Sequence, residues 1–187
     1  MTPNKAIHAL ARPYTAADRI VFDANILVSL FSGLEPPGSV IVANYSAALK
    51  QIRTAGATIL LDVLVLSEFV NVCARKEFDL AFPAGVARPT FKKFRDSPDF
   101  VPIAQAISRA ADQIASLAVA VDHAFSKWPL KDLLNDYATG QHDVNDQCLV
   151  QLCRQEKAFL LTNDRDFVRG GIALLTTNPT LLRSCPA

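Results

Sequence analysis

Short apolar runs separated by longer amphipathic segments constrain this chain more than any other feature: RIVF at 19–22, ATILL at 57–61, FLLT at 159–162 and IALLT at 172–176. Runs this short, bounded by turn residues and lacking a polar face, read as buried strands. The segments between them have helical spacing. ANILVSLFSG turns into a helix that stops near Gly33, and Ser39 is placed to cap VIVANYSAALKQIRTAG, which ends at Gly56. DVLVLSEFVNVCARKEFDLAF and HDVNDQCLVQLCRQEKA are two further helices, and NDRDFVRG is a turn opening a short one. Strands alternating with helices predict an α/β sandwich with a mostly parallel sheet. Ligands of such sheets bind beyond the carboxyl ends of the strands.

Two regions fit this rhythm poorly. Residues 1–18 read as an N-terminal arm broken by Pro3 and Pro13, and 19–187 as one domain. Within it, a proline-rich and helical insertion spans roughly 82–125, with a short helix at TFKKFRD and a long one over 103–125. A length of 187 residues suits a single domain that buries its own core. The chain is 50% hydrophobic and 20% charged, as globular proteins are. No signal-peptide or membrane-spanning run is visible, so a cytoplasmic location without a membrane partner is expected. Cys73, Cys148, Cys153 and Cys185 lack paired metal spacing and read as buried thiols; His142 near two of them does not make a zinc pattern. A net charge of +1 gives no basic field, so a nucleic-acid partner has to be argued from a site.

Acids supply that site. Asp23 follows IVF, Glu68 lies in the first turns of the helix after ATILL, Asp143 and Asp146 open a helix, and Asp164 follows FLLT. Each belongs to a different segment, apart from the Asp143 and Asp146 pair, and all are expected at one edge of the sheet. One such acid alone reads more simply as a turn or cap residue. Brought together, they repel one another unless protons or cations intervene, and hard divalent cations with oxygen ligands are the natural counter-charge.

Other folds that begin with a strand and an acid are excluded residue by residue. A haloacid-dehalogenase type phosphatase needs a second acid two positions after Asp23, where Asn25 stands. A receiver domain wants a lysine ending a late strand, whereas FLLTND ends in Thr162, Asn163 and Asp164. GLEPPGSV lacks the phosphate-binding lysine of a P-loop, and no G-x-G-x-x-G occurs.

The segments IVFDANIL, LVLSEFVNV, DVNDQCLVQLC and FLLTNDRDF, in that order, resemble the PIN-domain metal-dependent nucleases, which include the VapC-like ribonuclease toxins. The resemblance covers roughly 19–75 and 140–176 and implies a Rossmann-like three-layer α/β/α fold. It further implies a divalent-metal-dependent endoribonuclease using Mg²⁺ or Mn²⁺. Asp23 and Asp146 correspond to central metal ligands, Glu68 to a ligand held directly or through water, and Asp164 to the fourth acid. Asp143, on the same helical face as Asp146, supplements them. Asn25, Thr162 and Asn163 resemble positions that orient those carboxylates. Arg165 and Arg169 are candidates for RNA backbone contact, with Lys92, Lys93 and Arg95, interleaved with Phe91 and Phe94, as a second group. The second group reads alternatively as a solvated face over core aromatics. A toxin role brings an antitoxin protein and a homodimer as expected partners. The alternatives are a PIN-fold interaction protein with weak or silenced nuclease activity, and a metal-dependent phosphatase. His123 and His142 receive no assignment.

Overall fold

The computed structural model describes residues 2–128, 130–138 and 143–186. Six strands, β1 (Lys5–His8), β2 (Arg19–Phe22), β3 (Thr58–Leu61), β4 (Val119–Ala120), β5 (Phe159–Leu161) and β6 (Ala173–Thr176), form one sheet in the order β1-β6-β5-β2-β3-β4. Every neighbouring pair is parallel. The apolar runs occupy its interior because they have no face to give to water: Ile20, Val21, Leu160, Leu161, Leu174 and Leu175 are fully buried.

Among the described residues there are eight α-helices: α1 (Ala24–Phe31), α2 (Val40–Thr54), α3 (Val63–Ala81), α4 (Phe91–Arg95), α5 (Phe100–Leu117), α6 (Leu130–Ala138), α7 (Val144–Glu156) and α8 (Pro179–Ser184). Helix α1 packs on α2, α3 and α5, whereas α7 lies on β2 and β5 with α6 against it. Ser39 caps α2 by accepting from the Val42 N–H. Gly56 ends that helix at a φ of 70°, a left-handed conformation that a side chain resists. The fold is thus the α/β architecture with a parallel sheet that the alternating pattern predicts. Among the described residues no helix is long and apolar enough to cross a membrane.

Three local expectations need correction. The N-terminal arm of residues 1–18 contains a strand that its sequence does not announce, because Lys5–His8 pairs with Ala173–Thr176 as the edge strand β1. Asn4 ties it down: its buried amide donates to the Phe167 and Arg169 carbonyls and accepts from the Ile172 N–H. The long helix expected to reach Phe125 stops at Leu117, since Val119–Ala120 pairs with Leu60–Leu61 and the Val121 N–H donates to the Leu61 carbonyl at 3.0 Å. The open edge of β3 offers these backbone groups partners that do not depend on a further helical turn. Finally, NDRDFVRG forms turns without a helix, because the Asp164 carboxylate takes the Asp166 N–H at 2.9 Å.

The insertion is anchored by rings. Phe78 on α3 meets Phe82, Phe91 and Phe94, and Phe94 meets Phe82 and Phe100, with centroids 5.3 to 5.6 Å apart. Phe94 is buried, so it is core rather than a stacking platform, while Lys92, Lys93 and Arg95 face solvent.

Candidate active site

The strand order creates the site. The chain runs outward from β2 to β3 and β4, then returns to place β5 on the other side of β2. The connections leaving β2 and β5 therefore diverge, and a crevice opens beyond their carboxyl ends. Asp23 sits there directly after β2, its N–H extending the ladder to the Leu161 carbonyl at 3.0 Å.

Asp23 stands at the N-cap position of α1, yet its carboxylate makes no capping bond. Instead, Oδ2 accepts from the Thr162 hydroxyl at 2.6 Å and from the Asn25 amide at 2.6 Å. Thr162 also accepts from the Asp164 N–H at 3.0 Å, and the Asn163 N–H donates to the Asn25 Oδ1 at 3.3 Å. Asn25, Thr162 and Asn163 thus link the acid after β2 to the acid after β5 in one hydrogen-bond network. Asp143 shows the opposite economy: its Oδ1 caps α7 through the Asp146 N–H at 2.8 Å.

The acids feel one another. Burial raises the Asp23 carboxyl to about 6, against the Thr162 hydrogen bond that lowers it, and the charges of Glu68 and Asp164 raise it further. Asp146, half-buried on α7, is pushed up to about 7 by burial and then by Asp143, Asp23, Asp164 and Glu68. Burial, Asp143 and Asp164 raise Glu68. Asp146 is raised by the charges of all four other predicted acids, so the five, drawn from the ends of β2 and β5 and the first turns of α3 and α7, lie within electrostatic reach of that carboxylate. Arg165 and Arg169 lie exposed on the turns after β5.

Among the described residues no three His, Cys, Asp or Glu side chains make a ready-made metal cage. The donor set nevertheless fits a hard divalent cation, which uses one or two carboxylates, completes its shell with waters and substrate oxygens, and relieves the repulsion. The four cysteines are buried free thiols away from that role.

Two residues that carry the site are invisible in the sequence. Tyr45 on α2 is fully buried, and its hydroxyl stands 3.0 Å from the Thr162 carbonyl, 3.1 Å from Asn163 Oδ1 and 3.1 Å from the Thr177 N–H. It stitches the turn after β5 to the end of β6. Asn178 caps α8 through the Thr180 N–H at 2.9 Å and donates to the Asn163 carbonyl at 2.7 Å. Tyr45 reads in the sequence as one more apolar position of a helix, so no local signal announces it. Tyr45→Phe is expected to cost about 1–3 kcal/mol, since it strands buried partners of the lost hydroxyl. Denaturant unfolding checks this; an unchanged midpoint would refute the stitching role.

His123 has a partner that the sequence does not suggest. Its Nδ1 lies 2.7 Å from Asp62 Oδ2, and Asp62 also caps α3 by accepting from the Leu64 N–H at 2.7 Å. His142 lies outside the described residues.

The PIN domain family matches residues 20–172, a span containing all five acids. No curated protein matches the chain significantly. A solved structure, that of PAE2754 from Pyrobaculum aerophilum, is similar over 95% of both chains at 18% identity, with a TM-score of 0.44. The family match spans the sheet from β2 almost to β6, so the chain belongs to the PIN domain family, whose members are generally nucleases.

Proposed function

We propose that this protein is a divalent-metal-dependent endoribonuclease that uses Mg²⁺ or Mn²⁺ to hydrolyse RNA phosphodiester bonds. The observation that carries the reading is the grouping of Asp23, Glu68, Asp146 and Asp164, with Asp143, where burial first and then the charges of neighbouring carboxylates raise Asp23 to about 6 and Asp146 to about 7. Carboxylates so crowded suit cation binding better than service as isolated bases. Asn25 supports a nuclease over a phosphatase, because its amide donates to Asp23 and is too weak an acid to protonate a leaving group.

In this reading Asp23 and Asp146 hold the cation, Glu68 does so directly or through water, and Asp143 adds negative charge beside them. A bound divalent cation supplies a Lewis acid for the scissile phosphate and acidifies water. Asp164, fixed through its N–H to Thr162, orients the attacking water in line with the leaving 3′-oxygen. Thr162 and Asn25 hold Asp23 in one rotamer, and Asn163 locks Asn25 in turn. Arg165 and Arg169 meet the RNA backbone. The products carry a 5′-phosphate and a 3′-hydroxyl.

A toxin role, with an antitoxin as partner and a homodimer as the active assembly, is the biological setting that the family resemblance suggests. A small upstream reading frame overlapping this one would support it. The chemistry is tested by incubating the purified protein with end-labelled single-stranded RNA and Mn²⁺ or Mg²⁺, with a chelator control. Cleavage should require the metal; cleavage that persists in chelator, or none with either metal, refutes the proposal.

A further inference from the structure

A cleft of about 250 Å³ opens off the acidic centre along the groove between α1 and α3. Asn25 and Glu68 line it, Val28 and Val72 face it as apolar walls, and Glu35 and Lys76 are its remaining charged groups. Glu68, Val72 and Lys76 recur every four residues and so follow one another along one face of α3. Eight residues of helix rise span about 12 Å, the order of the reach from a phosphate to the far edge of its base. Glu35 comes from the loop after α1 and meets Lys76, Nζ to Oε1, at 3.5 Å. That volume lies just below the range of pockets that enclose whole drug-sized ligands, which suits a single base.

We propose that this cleft is a base-reading subsite selective for guanine, resting on the nuclease reading above, with the nucleotide's phosphate at the acids and its base between Val28 and Val72. The Glu35 carboxylate offers two acceptors and the Lys76 ammonium a donor beside them. Guanine alone presents the complement on its Watson–Crick edge: the O6 acceptor, then the N1–H and N2–H donors. Adenine and cytosine set an unprotonated ring nitrogen against the carboxylate, and uracil offers one N–H between two carbonyls. Single-stranded RNA exposes these edges for direct reading. The Glu35–Lys76 pair can turn to a base at little cost, because both side chains are partly exposed and such pairs are weak.

Two measurements test the subsite. Calorimetric titration of the four nucleoside 5′-monophosphates in the presence of Mn²⁺ should show GMP binding about tenfold tighter than AMP, CMP or UMP, the scale of one hydrogen bond to a charged group. Glu35→Gln replaces one acceptor with a donor facing guanine's own donors, and should erase that preference; Lys76→Met should reduce it. Thermal unfolding of each variant confirms that the fold is kept. Mapping cleavage on an RNA containing every dinucleotide should place the cuts next to guanines in the wild type and spread them over all bases in Glu35→Gln. Equal affinity for the four monophosphates, or a GMP preference that survives Glu35→Gln, overturns the subsite. If the RNA is left intact while GMP selectivity appears and is lost in Glu35→Gln, the subsite stands and the nuclease reading falls.

Discussion

Asp146→Asn is expected to lower metal-dependent RNA cleavage by about a hundredfold or more while leaving the metal-free protein more stable than the wild type. The first half follows from position. Residues that merely orient metal ligands are worth roughly 10- to 100-fold in affinity or activity, so a direct ligand belongs at or beyond the upper end. The second half follows from charge. Burial and four neighbouring carboxylates push the Asp146 carboxyl up to about 7, so its ionised form is disfavoured in the fold at neutral pH. Asparagine keeps the volume and the helical position but removes that charge. Activity and metal-free stability should therefore move in opposite directions, as they do where a site is kept under strain for function. Cleavage kinetics with Mn²⁺ and unfolding in chelator measure the two. A variant that cleaves like the wild type would remove Asp146 from the site, and one that is destabilised in chelator would show that its carboxylate is structural.

The stability of the metal-free protein should fall as pH rises from about 4 to about 7, and Mn²⁺ should reverse the fall. Asp23 carries the clearest case, since it is nearly inaccessible and its carboxyl is raised from 3.8 to about 6. Below its unfolded value both states hold the proton and the group contributes no penalty. As pH rises through the folded value, the folded state gives up a proton it held more tightly than the unfolded chain did. That loss is about 3 kcal/mol for a shift of this size taken alone, and Asp146 adds to it with the same sign. A cation at a hundred times its dissociation constant returns about 2.7 kcal/mol. Protons compete for the same oxygens, so the Mn²⁺-induced rise in unfolding temperature should be large at pH 7.5 and small at pH 5. A rise equal at both values, or absent at pH 7.5, would contradict a cation site built on these carboxylates.

Much of the molecule was legible before any coordinates. The central strands β2, β3, β5 and β6 announce themselves because each is buried on both faces and so must be apolar along its length. The edge strands do not. In β1 only Ala6 is fully buried, and β4 is exposed at both residues, so neither carries a pattern of its own. Each forms because a neighbouring strand offers an unpaired row of backbone groups, which no side chain encodes. The aromatics of the insertion show the same limit. Phe91 and Phe94 beside lysines read equally well as a stacking surface and as core, and only the rings of Phe78 on α3 and Phe82 just after it decide for core.

For the site, the order of residues by itself determined the chemical type of each candidate: acids at Asp23, Glu68, Asp143, Asp146 and Asp164, each at a strand end or helix start, with Asn25 where a phosphatase needs an acid. It could not decide between five separate caps and one shared pocket, because capping and cation binding draw on the same carboxylates at the same helix ends. Tertiary structure brings the segments after β2 and β5 side by side by returning β5 to the side of β2. That places Thr162 against Asp23 across 139 positions of chain and leaves Asp23 without a capping bond, while Asp143 keeps one. The supports of Thr162 and Asn163, Tyr45 on α2 and Asn178 before α8, reach that turn only in the folded protein, since hydrogen bonds between remote segments depend on distance in space and leave no periodicity in the chain.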